Sequence, residues 1–151
     1  MTLHKISMRA CSIVTAGFLA ALPAHAEKKI SRSQLPAAVE RTVQEQSNGA
    51  TIKGFAVEKE NGRLEYEAEM MINGHSKDIS IAKDGTLLEI EEEVQIGALP
   101  DLVQKSLMAK AGRAKITKVE SLTKNGKLVA YEATTLNGAK KGEIQIVPNG
   151  E

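Results

Sequence analysis

Between residues 64 and 72 the chain alternates: Leu64, Tyr66, Ala68, Met70 and Ile72 are apolar, and Glu65, Glu67 and Glu69 stand between them. A period of two residues predicts a β-strand with one dry face and one wet face. Ile79 and Ile81 continue the pattern in a further strand, Asp84-Gly85 marks a turn, and Leu88, Ile90 and Val94 make another strand. Upstream the period changes. Leu35, Ala38, Val39, Thr42 and Val43 recur at spacings of three and four, which predicts a helix with one apolar stripe. Ser31 and Ser33 are its candidate caps, Pro36 sits in its first turn, and Gly49 stops it.

The same series returns about 64 residues later. Leu35-Pro36 matches Leu99-Pro100, Ile52 matches Ile116, Asn61-Gly62 matches Asn125-Gly126, and Asn73-Gly74 matches Asn137-Gly138. Self-similarity along a chain indicates a duplicated unit. The second helix is predicted from Leu99 to Ala111, with Leu102, Val103 and Leu107 on its stripe and Gly112 as its stop. Each Asn-Gly pair predicts a tight hairpin turn, because the dipeptide favours type I′ geometry. Tyr66 and Tyr131 match only with one residue added, so a bulge is expected between Asn125 and Tyr131; the tyrosines themselves are expected in the core. The expected fold is α+β: a tandem duplicated unit of one helix followed by an antiparallel meander, four strands and then three. Boundaries are expected at 27–98 and 99–151, the second repeat being shortened. Its third strand, around Gly142 to Val147, would then lie at an edge, to be paired with the other unit or extended by a partner's strand.

The first 26 residues are expected to leave before folding. Lys5 and Arg9 precede an apolar run from Cys11 to Leu22, and Ala24 and Ala26 occupy the small-residue positions of a signal-peptidase site. The run is about a dozen residues, short of the roughly 20 that span a bilayer. Cleavage after Ala26 predicts a periplasmic or secreted protein with no membrane insertion, and it removes the single cysteine, Cys11, and with it any disulfide. What remains carries 18 basic and 19 acidic residues, a balance that does not suit nucleic acid. The balance is uneven along the chain: residues 27–98 hold 14 acids and 9 bases, residues 99–151 hold 5 acids and 9 bases. Either the two halves attract one another or the split is incidental.

Catalytic chemistry finds few residues to work with. His75 is the single histidine after the leader, and Ser76 and Asp78 near it show ordinary strand alternation rather than a nucleophile–base arrangement. No glycine-rich phosphate loop and no Cys/His metal spacing occurs. No enzyme activity, catalytic residue or cofactor is expected. Acids are the stronger signal. Glu65, Glu67 and Glu69 share the wet face of one strand, Glu89, Glu91 and Glu93 that of another, and Asp78 lies between them. These seven form a candidate face for a protein or peptide partner. The alternatives are weakly held divalent cations, or a solvated face interleaved with Lys53, Lys59 and Lys83.

The stretch from "LPAAVERTVQEQ" through "NGRLEYEAEM" to "TLLEIEEEV", with its shorter echo from Leu99, resembles the PepSY-like family, also called β-lactamase-inhibitor-like proteins. The resemblance covers essentially the whole chain after the leader. It implies secreted or periplasmic proteins, a helix packed on an antiparallel sheet, and no enzymatic activity. Inhibition of a β-lactamase is not carried over, since interface residues vary freely on a shared scaffold.

Overall fold

The structure, a computed structural model, describes residues 27–60 and 62–151; the expected leader, and Asn61 of the first Asn-Gly pair, lie outside them. In chain order the elements are β1 (Lys28–Ile30), α1 (Ala37–Gln46), β2 (Thr51–Glu60), β3 (Arg63–Ile72), β4 (His75–Ala82), β5 (Leu87–Glu93), α2 (Asp101–Ala111), β6 (Lys115–Lys124), β7 (Lys127–Asn137) and β8 (Lys140–Ile146). All eight strands form one antiparallel sheet whose spatial order is the chain order.

This overturns the expected tandem of two α+β helix-plus-meander units. β5 pairs with β6, from Glu89 opposite Lys124 to Glu93 opposite Glu120, so the sheet continues across the expected boundary. The helices are only 10 and 11 residues long, and the molecule is mostly β. Periodicity reports which way a strand's side chains face, but not which strand lies beside it. The β5–β6 ladder is a long-range pairing that no local pattern announces. β1 was also unforeseen: three residues, Lys28 to Ile30, pair with Val57 to Phe55.

Both helices lie on one side of the sheet. Val39 and Val43 of α1 are fully buried against Tyr66, Ala68, Met70, Ile79 and Ile81. Val103 and Leu107 of α2, with Leu99, are buried against Val119, Ala133 and Ile146. Ile90 of β5 packs on the first group and stands opposite Thr123 of β6, whose alternation leads to Val119. Side chains such as Ile79 and Ile81 each contribute about 1.5–3 kcal/mol by leaving water. Tyr66 and Tyr131 both pack in these clusters, as their pattern requires. Each helix begins directly after a proline, Pro36 or Pro100, rather than including it, and Ser31 instead opens a short 3-10 turn, where its N–H donates to Gln34 Oε1 at 2.9 Å. Among the described residues, no helix is long and apolar enough to cross a membrane.

Turn chemistry sets the registers. Asn73 and Gly74 both hold positive φ, 49° and 85°, and so do Asn125 and Gly126; this is the conformation that type I′ turns need. The last expected Asn-Gly turn slides by one residue. Asn137 pairs with Lys140, leaving Gly138-Ala139 as the loop. Only Gly138, φ 61°, takes the left-handed conformation there, which spares Ala139 that strain. The slide follows from the expected bulge, which exists: Leu122 pairs with Ala130 and Thr123 with Leu128, so Val129 is extra. Further register shifts fall at Ile52/Gly54, Ser80/Ile81 and Ile116/Lys118. Bulges add twist and bend to a sheet.

Candidate functional site

The seven singled-out acids share one face, and it is the face opposite the helices. Glu67 stands across from Ser80, Glu69 from Asp78, and Glu65 from Ala82. Asp78 in turn stands across from Glu91, and Ser80 from Glu89. Glu93 completes the set, its Oε2 accepting from the Ser76 N–H at 3.1 Å and from Ser76 Oγ at 3.3 Å.

Further carboxylates join them that the sequence reading passed over. Glu58 pairs with Glu65 from β2, and β6 to β8 contribute Glu120, Glu132 and Glu143 in the same alternation. The signal was present: Glu120 and Glu132 alternate with Val119 and Ala133. They stand among the basic residues of a half with net positive charge. The lysines expected to interleave do not. Lys59 stands opposite Leu64 on the helix side, and Lys53 is the extra residue of a bulge. The face instead receives Lys118, 2.7 Å from Glu120, and Lys124, 2.8 Å from Glu89.

Nor are these acids a uniformly wet row. Glu67 is 5 % exposed, Glu91 8 % and Glu120 6 %, and Ala56, Ser76, Ser80, Leu122 and Ala130 are buried beside them. Among the described residues no helix packs on this side, so the cover comes from the bent sheet's own side chains. The carboxylates on this face are accordingly crowded. The Glu65 carboxyl is pushed up to about 7, first by burial and then by the charges of Glu60, Glu58 and Glu89, with Lys124 opposing. Glu143 is an exposed residue, yet its carboxyl rises to about 8 through desolvation, its hydrogen bond with Glu132 and the charges of Glu132 and Glu120. The exposure makes the Glu132 pairing the weightier cause. Glu93 moves the other way, held below the usual carboxylate range by the Ser76 N–H against the cost of burial.

Carboxylate oxygens of Asp78, Glu91 and Glu120, one from each of three neighbouring strands, come within 4.8 Å of one another, as do those of Glu58, Glu60 and Glu65. His75 is half-buried rather than exposed and lies with Glu93, Lys118 and Ile116 around a cleft of about 320 Å³. The Ser76 hydroxyl faces Glu93 and Glu120.

No protein-family model matches the sequence, and no curated protein matches it. Solved structures do. A BLIP-like protein of Bacteroides fragilis superposes with a TM-score of 0.57 at 21 % identity, covering 78 % of this chain and 82 % of that one. A Bacteroides eggerthii protein, provisionally described as periplasmic, gives 0.63 at 16 % identity over 78 % and 84 %. A DUF2874 family protein of Bacteroides ovatus gives 0.60 at 16 % identity over 78 % and 84 %. Likeness at these identities is likeness of fold, and the fold is the BLIP-like, PepSY-like one that the Leu-Pro and Tyr-Glu-Ala patterns imply.

Proposed function

We propose that this chain is an exported, noncatalytic binding module that recognises a basic protein or peptide through the helix-free face of its sheet. The observation that carries the reading is the crowding of carboxylates on that face, where Glu67, Glu91 and Glu120 are nearly buried. One side of the sheet is occupied by α1 and α2, and the other presents carboxylates from β2 to β8 with no element of its own over them among the described residues. A surface dominated by one sign of charge raises the local potential and speeds encounter with an opposite charge. Export is supported by the basic, apolar and Ala24-x-Ala26 sequence of the leader and by fold neighbours described as periplasmic.

The test is kinetic. Glu69 and Glu132 lie on the face, are half-buried, and stand in different parts of it. Glu69→Lys with Glu132→Lys should slow association with a partner purified from envelope extract about ten-fold or more, and flatten its salt dependence. An association rate indifferent to both reversals and to salt overturns the reading.

A second reading, a cation-responsive envelope protein, rests on the convergence of Asp78, Glu91 and Glu120. Oxygen ligands of this kind suit calcium. It stands second because Lys118 already places a cation 2.7 Å from Glu120. Calcium calorimetry separates the two: a stoichiometric heat abolished by Asp78→Asn favours this reading, and no heat removes it.

A further inference from the structure

The two edges of the sheet differ. β1, at one edge, is three residues long and begins with two lysines, a short and charged strand of the kind that blocks edge pairing. β8, at the other, runs seven residues and among the described residues pairs only with β7. Among the described residues, the segment after it does not cover the edge. Val147 N–H bonds back to Glu151, Ser106 Oγ donates to the Gly150 carbonyl, and Gly150 lies against Leu102 of α2, so the tail turns onto the helix side.

Which backbone groups face outward follows from the hairpin. A two-residue loop is closed by a hydrogen-bonded pair, here Asn137 and Lys140, and bonding alternates along an antiparallel strand. Lys140, Gly142, Ile144 and Ile146 therefore bond to β7. Lys141, Glu143 and Gln145 turn their N–H and C=O to the open edge, and their side chains stand on the acidic face with Thr134 and Glu132. Along that edge the charges read Lys141, Gly142, Glu143, which is the same sequence with opposite sign when read backwards.

We infer that β8 joins β8 of a second copy of this chain, antiparallel and centred on Gly142, so that Lys141 of each copy stands opposite Glu143 of the other. Other registers do worse. Centring on Glu143 opposes two glutamates, centring on Lys141 opposes two lysines, and centring on Ile144 moves Lys141 beyond the end of the partner strand. The Gly142-centred register is the one that makes hydrogen-bonded pairs of Lys141 and Glu143 and sets opposite charges across them, a favourable cross-strand pair. It also brings Gly142 against Gly142 on the helix side, where no side chain obstructs the seam. Within one copy Glu143 has Glu132 and Glu120 for neighbours with only Lys118 opposing them, and the second copy's Lys141 adds an opposite charge directly across the seam. The two-fold axis stands perpendicular to the sheet, so both acidic faces look the same way and merge into one sixteen-stranded surface. The pairing is independent of what the acidic face binds.

Sedimentation of the protein across the micromolar to millimolar range tests this. A reversible dimer is expected. Glu143→Lys and Lys141→Glu, each placing like charges across the seam, should raise the dissociation constant about ten-fold or more. The double variant Lys141→Glu with Glu143→Lys should return to within about three-fold of the parent, since it restores opposite charges. Amide exchange of the unaltered protein gives a reading free of any variant: protection at Lys141 and Glu143 should rise with concentration, while that at Gly142 and Ile144 stays constant. A monomer throughout the range, single reversals without effect, a double variant no better than either single, or exchange at Lys141 and Glu143 that ignores concentration each overturns the pairing.

Discussion

Glu67 and Glu91 show what alternation alone leaves out. Their pattern places them on the wet face, and they are on that face, yet they are nearly as buried as the core. A reversal to lysine there would be harmless on a flat solvated strand. At a site this buried it breaks a partnered charge, so Glu67→Lys should cost about 3 kcal/mol or more in a urea titration; a loss below about half a kcal/mol would mean the face is open. Glu65 gives a pH signature. Its folded carboxyl titrates near 7 and its unfolded one near 4.5. Below the lower value both states hold the proton and no penalty exists. As pH rises through the window the unfolded state ionises first, so stability falls, and the loss is complete above the folded value. Glu65→Gln should therefore narrow the difference in urea midpoint between pH 5 and pH 8, with Glu143 supplying the remainder; an unchanged difference would remove Glu65 as the cause.

At the scale of elements, most strands and both helices were legible, because helix stripes and strand alternation are local. The Val129 bulge was legible too, as the single residue needed to bring Tyr131 onto Tyr66. β1 was not: "KKI" is too short for a period to develop, and it becomes a strand only because β2 offers it an edge. The hold of the helices on the sheet was also invisible, since it passes through glycines. At Gly85, φ 91°, an added Cβ would lie 2.8 Å from the Ala38 carbonyl oxygen, and the Gly85 carbonyl accepts from Thr42 Oγ1 at 2.6 Å. This contact clamps the β4–β5 turn to α1. Gly85→Ala should cost about 2 kcal/mol or more, combining backbone strain with overlap that the rigid Ala38 backbone cannot relieve. Gly74→Ala, also at positive φ but with open space around it, should cost only the strain, about 1 kcal/mol. Equal losses in thermal denaturation would show that the α1 contact adds nothing.

For the whole molecule, the repeat in the sequence suggested two helix-plus-meander units where the structure has one continuous sheet. The physical reason is that a unit of roughly 60 residues leaves too much surface exposed to be stable alone, and pairing β5 with β6 satisfies both units' edges at once. Unfolding should accordingly be a single transition, with calorimetric and van't Hoff enthalpies in agreement. Two resolved transitions, or a stable fold in the isolated piece 99–151, would overturn this. The acidic face belongs to this scale as well: its seven foreseen members came from one half of the chain, and its full extent emerged only when the strands of both halves joined.

The β5–β6 ladder also bears on how the chain finds its fold. Every other ladder from β2 to β8 joins strands linked by a tight turn, and such hairpins close within microseconds. β5 and β6 are instead separated by α2 and its flanking turns, so their pairing bears a larger loop-closure entropy. The two meanders are therefore expected to form early and to zip together late, with the central ladder largely absent from the folding transition state. Leu122→Ala, on that ladder and 1 % exposed, should speed unfolding far more than it slows folding, whereas Ile79→Val within the first meander should act mainly on the folding rate. A seam that closes last in folding is also the one that opens first in unfolding.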